Sequence, residues 1–140
     1  MSHSHPEPAP SPPVRVLIAD DQPAIRRGLR MWLELQDDVE VVGEAGTGRD
    51  AVRLAATMHP DVVLMDVEMP VLDGIAATAA LRAVAPQVQV IVQSIHADAA
   101  TRSRALEAGA AAFFGKGTET AALLTAIQRA GVAARGQTAG

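Results

Sequence analysis

Hydrophobic positions along this chain alternate between two periods. Short unbroken apolar runs give way to helical spacing, and the exchange repeats five times. Val14 to Ala19 (Val-Arg-Val-Leu-Ile-Ala) reads as a strand that ends in Asp20-Asp21. Gln22-Pro23 then opens a helix with Pro in its first turn, and Ile25, Leu29, Trp32 and Leu33 give it an apolar face. Val39 to Ala45 is a second strand, broken by Gly46-Thr47-Gly48. A helix follows from about Arg49 to Met58 with Ala51, Val52, Ala55 and Met58 on one side.

Val62 to Met65 is the most uniformly apolar run and predicts a third strand, buried on both faces, that delivers Asp66 to its tip. Met69-Pro70 and Asp73-Gly74 turn the chain into an Ala-rich helix to Val84, which Pro86 stops. Val88 to Gln93 is a fourth strand, ending at Ser94. The helix expected from Asp98 to Ala108 has Leu106 as its only large apolar residue, so it should dock less firmly than its neighbours. Ala110 to Phe114 is a short fifth strand, followed by Gly115-Lys116-Gly117 and a last helix carrying Leu123, Leu124 and Ile127. Five strand-helix alternations predict an α/β fold with a parallel sheet covered on both faces by five helices.

This reading divides the chain into a disordered Pro-rich tail over residues 1–13, one domain over 14–131 and a flexible tail or linker start over 132–140. With 140 residues and 49% hydrophobic content, the chain can bury a proper core. A net charge of -4 argues against an electrostatic nucleic-acid surface within it. Cysteine is absent, which rules out disulfides and thiolate metal sites. No apolar run reaches a membrane span, and the N-terminus lacks a signal-peptide core; the expected location is the cytoplasm, with no membrane partner. Gly43 to Asp50 is not a phosphate loop, because Arg49 and Asp50 stand where Lys and Ser/Thr would be needed.

In a parallel sheet, the carboxyl ends of all strands share one edge. Asp20, Asp21, Asp66, Ser94 and Lys116 would therefore converge on one crevice. Three carboxylates crowd together cheaply only around a cation, and an all-oxygen donor set suits Mg²⁺. An acid, Mg²⁺, a lysine and a hydroxyl are the equipment for receiving a phosphoryl group, with Asp66 as the nucleophile. Each residue alone could equally be an ordinary wet strand-end or surface pair; their joint placement points to chemistry.

Val16-Leu17-Ile18-Ala19-Asp20-Asp21, the segment from Asp66-Val67-Glu68-Met69-Pro70 to Gly74, Ser94 after its apolar strand, and Phe113-Phe114-Gly115-Lys116 together resemble the receiver domain of bacterial two-component response regulators. The stretch around Ala19-Asp20-Asp21-Gln22-Pro23 looks most like the subfamily that usually carries a C-terminal helix-turn-helix output domain. The resemblance implies a flavodoxin-like, doubly wound sheet in the order 2-1-3-4-5. It also implies that Asp66 accepts a phosphoryl group from a sensor histidine kinase or a small phosphodonor. Asp21, Asp66 and the Glu68 main-chain carbonyl would bind Mg²⁺, with Asp20 acting mainly through water. Ser94 and Lys116 would bind the phosphoryl oxygens, and Phe113 would be the switch aromatic, turning inward as Ser94 moves. The output face would be the fourth helix, the fifth strand and the last helix. The chain would be a phosphoryl acceptor that assists its own phosphorylation and dephosphorylation, not an enzyme acting on other substrates. A homodimer on phosphorylation is a further expectation, and DNA would be reached only through a C-terminal domain that these residues do not include.

Ile95 follows Ser94 where the family usually has a small residue, and Gly117 follows Lys116 where many receivers have Pro. Three other readings stay open. A Mg²⁺-dependent phosphohydrolase would use Asp66 as nucleophile and Glu68 as general acid, although Met69-Pro70 stands where it would want a Thr. A flavodoxin-like cofactor binder is disfavoured by the lack of Tyr and of a Ser/Thr-rich phosphate loop after the first strand. The third is a receiver that binds proteins without being phosphorylated.

Overall fold

A computed structural model of the protein describes residues 12–139. The expected disordered tail lies outside the described residues as far as Ser11. The elements run β1 (Val14–Ala19), α1 (Pro23–Glu34), β2 (Val39–Ala45), α2 (Gly48–Met58), β3 (Val62–Asp66), α3 (Gly74–Val84), β4 (Gln89–Ser94), α4 (Ala99–Glu107), β5 (Ala112–Gly115) and α5 (Thr120–Ala139). All strand pairs are parallel, and the sheet order is β2-β1-β3-β4-β5. β3 is therefore central, which is why its residues are apolar on both faces: Val62, Val63, Leu64 and Met65 are all buried.

The alternation along each strand feeds two cores. Leu17, Val63, Met65, Val90, Val92 and Phe113 pack under α2, α3 and α4, which contribute Ala51, Ala55, Ala77, Leu81 and Ala105. Val16, Ile18, Val62, Leu64 and Ile91 point the other way, against Leu33 of α1 and Leu123, Ile127 and Ala130 of α5. Each large side chain buried this way stabilises the fold by about 1.5–3 kcal/mol. Side-chain caps define three of the helix starts: Thr47, Asp73 and Asp98 each accept a hydrogen bond from a backbone N–H three residues on.

Two expectations need correction. Ile25 was assigned to the buried face of α1, but it is exposed, and only Leu33 of that stripe is fully buried. Helix α1 rests on the sheet mainly through its last turns, while its first turn lies over the Asp20–Asp21 turn. The flexible tail expected over 132–140 is helical as far as Ala139. Ala130 and Ala134 keep the helical period and are buried. Gly131 lets α5 press onto β1, since a Cβ there would come within 2.6 Å of the Val14 side chain. Arg135 donates to the Pro12 and Pro13 carbonyls and pairs with Asp61 at 3.2 Å, which anchors this extension. Ala130, Gly131 and Ala134 form a close-packing surface within it.

Helix α4 buries only Ala105, and Leu106 is exposed, as the sparse apolar pattern suggested. Among the described residues, no helix is long and apolar enough to cross a membrane.

Candidate functional site

Register places the polar strand ends on one edge. Ala19 pairs with Met65, Asp66 with Gln93, and Ser94 with Gly115. Asp20, Asp66 and Ser94 are all buried there, at 2%, 3% and 0% exposure, so their polar atoms must find partners inside the site. Lys116 supplies one: its Nζ lies 2.9 Å from Asp20 Oδ2 and 3.2 Å from Asp66 Oδ1. The other Asp20 oxygen accepts from the Gln22 backbone N–H at 3.0 Å. With both oxygens taken by the protein, Asp20 is suited to an indirect part in holding a cation.

Asp21 is exposed, yet one of its oxygens and one from each of Asp20 and Asp66 lie within 4.8 Å of one another. Asp66 Oδ1 is buried and accepts no well-directed hydrogen bond, despite the nearby ammonium. A buried carboxylate oxygen without a hydrogen bond, beside two more acids, is what a hard divalent cation would complete, so the residues fit Mg²⁺. Burial, and then the Asp20 charge, push the Asp66 carboxyl up from 3.8 to about 7; Lys116 opposes them only partly. Burial pulls the Lys116 ammonium down, but its hydrogen bond to Asp20 and the charges of both acids hold it above its ordinary value.

Ser94 faces the same edge. Its Oγ donates to Glu68 Oε1 at 2.9 Å and accepts from the His96 backbone N–H at 2.9 Å. The structure thus brings Asp20, Asp21, Asp66 and Lys116 directly together, and it ties the buried Ser94 on the neighbouring strand to the Glu68 side chain. Phe113 is already buried among the residues under α3 and α4. Ile95 is exposed, so its bulk is not packed into the site.

The loop after Asp66 is held under strain. Val71 has φ +73°, and the Leu72 N–H donates to the Pro70 carbonyl at 2.8 Å, forming a γ-turn around a β-branched residue. Nothing in the sequence signalled this. Gly74 then passes so close that a Cβ would collide with the Asp66 carbonyl oxygen. Gly74→Ala should therefore push the Asp66 main chain aside and lower stability by about 1–3 kcal/mol, read as a reduced urea midpoint.

Arg26 was also missed: its guanidinium donates to the Asp20 carbonyl at 2.5 Å and pairs with Glu44 at 3.2 Å. In sequence it looked like one more polar residue of α1.

A flavodoxin-like sheet with acids and a lysine gathered at its carboxyl edge defines a class, and comparison with known proteins agrees. The response regulator receiver domain family matches residues 16–128, and the chain belongs to that family. It is 42% identical over 115 residues to the uncharacterized transcriptional regulatory protein YhcZ of Bacillus subtilis, covering 82% of this chain and 54% of that protein. It is 39% identical over 117 residues to the transcriptional regulatory protein LiaR of Bacillus subtilis, covering 84% of this chain and 56% of LiaR. Among solved structures, a two-component response regulator of the LuxR family from Aurantimonas sp. SI85-9A1 superimposes with a TM-score of 0.81 at 32% identity, covering 86% of each chain. The chain spans about half the length of these two Bacillus relatives.

Proposed function

We propose that this chain is a phosphorylation switch whose acceptor is Asp66. The observation that carries the reading is the buried Asp66 carboxylate at the tip of the central strand, 3.2 Å from Lys116 Nζ and clustered with Asp20 and Asp21. Family membership favours this reading over the hydrolase and the cofactor binder.

A carboxylate oxygen of Asp66 forms a bond to phosphorus as the phosphorus–nitrogen bond of a phosphohistidine donor breaks. The departing imidazole takes up a proton from solvent. Lys116 and the Ser94 hydroxyl receive the phosphoryl oxygens, where fixed charges count for more than they would in water. Asp21 and Asp66 would hold Mg²⁺ through their carboxylates, Glu68 through its main-chain carbonyl, and Asp20 through water. When bound, Mg²⁺ supplies the positive charge that offsets the added phosphoryl oxygens. The same residues let water reach the acyl phosphate, so the chain assists its own dephosphorylation.

Signalling follows from a competition. Ser94 is engaged by Glu68 in this structure. A phosphoryl group brings about two negative charges and several strong acceptors, and these draw the hydroxyl away from Glu68. The β4–α4 loop moves with it, and α4 follows because it buries so little. The surface formed by α4, β5 and α5 is thus the output face. The donor would be a sensor histidine kinase, and phosphorylation would favour a homodimer. The two Bacillus relatives are named as transcriptional regulators, which supports a DNA-binding output lying beyond the residues described here.

Amide exchange with and without beryllofluoride, a phosphoryl mimic, tests the switch. Protection should change across residues 94–117 and stay constant in α1 and β2. An unaltered pattern in 94–117 would count against the mechanism.

A further inference from the structure

We propose that Arg26 is a positioning residue for the acidic cluster: it clamps the main chain of the Asp20–Asp21 turn and so aims the Asp21 carboxylate at Asp66. This rests on the reading of Asp21 and Asp66 as Mg²⁺ ligands. Arg26 lies in the first half of α1. Its Nη1 donates at 2.5 Å to the Asp20 carbonyl, which belongs to the peptide joining Asp20 to Asp21. A group that holds this peptide sets the direction in which the next side chain leaves the backbone. Only main-chain anchors do this work here, because Asp21 is exposed and no side chain among the described residues donates to its carboxylate. Further anchors of the turn are Asp20 N–H to the Ala45 carbonyl at 3.0 Å, Gln22 N–H to Asp20 Oδ1 at 3.0 Å, and Arg26 N–H to the Gln22 carbonyl at 3.1 Å.

The clamp is itself braced. Arg26 Nε pairs with Glu44 Oε1 at 3.2 Å, and the other Glu44 oxygen is held by Arg30 Nη1 at 2.6 Å. Glu44 sits on β2 opposite Ile18 of β1, just before the strand ends level with the site. Arg26 is only 20% exposed in this arrangement, so its guanidinium is fixed in place. Partners of this kind behind a metal ligand set its orientation.

Charge and geometry predict opposite results for Arg26→Gln. Removing a cation beside a divalent-ion site should tighten binding if only Coulomb's law matters. Loss of the clamp should weaken it. Arg135→Gln is the control, since it removes an ion pair to Asp61 and a contact to the Pro12 carbonyl at the opposite end of the sheet, without touching Asp20 or Glu44.

The experiment is calorimetric titration of the 140-residue protein with MgCl₂, alongside thermal melting in EDTA. Arg26→Gln should bind Mg²⁺ about tenfold more weakly than wild type. Arg135→Gln should lower the melting temperature and keep its Mg²⁺ affinity within about twofold. Arg26→Lys keeps the charge but cannot reach Asp20 and Glu44 together; it should fall between, and it carries the test if the Gln variant does not fold. Equal or tighter binding by Arg26→Gln, with wild type binding normally, overturns the clamp alone. Failure of wild type to bind Mg²⁺ overturns the metal-site reading and the clamp with it.

Discussion

Asp66→Asn should abolish covalent labelling by acetyl phosphate in the presence of Mg²⁺, to the background of the assay. The substitution keeps the shape of the side chain and its place at the end of β3. It replaces an anionic oxygen with an amide, which does not form an acyl phosphate. Intact-mass measurement after incubation reads the result directly: one added phosphoryl group on wild type, none on the variant. Asp21→Asn should slow labelling without abolishing it, since the role proposed for that residue is to hold the cation and not to form the new bond. Undiminished labelling of Asp66→Asn would place the nucleophile elsewhere. Repeated turnover of small phosphoesters by wild type would revive the hydrolase reading.

The same substitution should stabilise the metal-free protein above neutral pH. Asp66 is buried, and its carboxyl is raised from 3.8 to about 7, first by burial and then by the charge of Asp20. Between those two values the folded chain holds a proton that the unfolded chain has released. Stability therefore falls as pH rises through this window. The contribution is fully present below 3.8 and gone above about 7. The full gap corresponds to about 4 kcal/mol as an upper bound, and Asn, which never ionises, should recover about 2 kcal/mol of it. In EDTA at pH 8, the variant should melt roughly 5–10 °C higher than wild type, with the difference shrinking toward pH 4. Saturating Mg²⁺ should narrow the gap at pH 8, because the cation then favours the ionised acid in wild type. An Asn variant that melts below wild type in EDTA at pH 8 would mean that the Lys116 pair outweighs burial.

Much of this was legible in the residue pattern for definite reasons. The apolar run from Val62 to Met65 reads as a strand buried on both faces, and in a parallel sheet such a strand carries Asp66 to the shared edge. Asp20 and Lys116 followed from the same rule, since topology converts a position after a strand into a place in space. What stayed hidden depends on contacts between elements. Arg26 reaches the Asp20 main chain and a glutamate on β2, and no local spacing encodes that. The left-handed Val71 contradicts its own propensity, so only the surrounding packing accounts for it. The end of α5 was read as a flexible tail or linker start, whereas it is helical to Ala139 and Gly131 serves a helix-on-strand contact. The Ser94–Glu68 bond could not be foreseen either; sequence placed both residues at the site but not in each other's company.

The grip of Arg135 on the carbonyls of Pro12 and Pro13 has a consequence for how the fold can be wired. Both boundaries of the domain meet on the floor of the sheet, while the acids occupy its roof, a strand length of about 17–20 Å away. Attachments made at either boundary would stand clear of the phosphate chemistry. A message from the roof would then travel down through the body of the domain, and α5 runs from the end of β5 toward that floor.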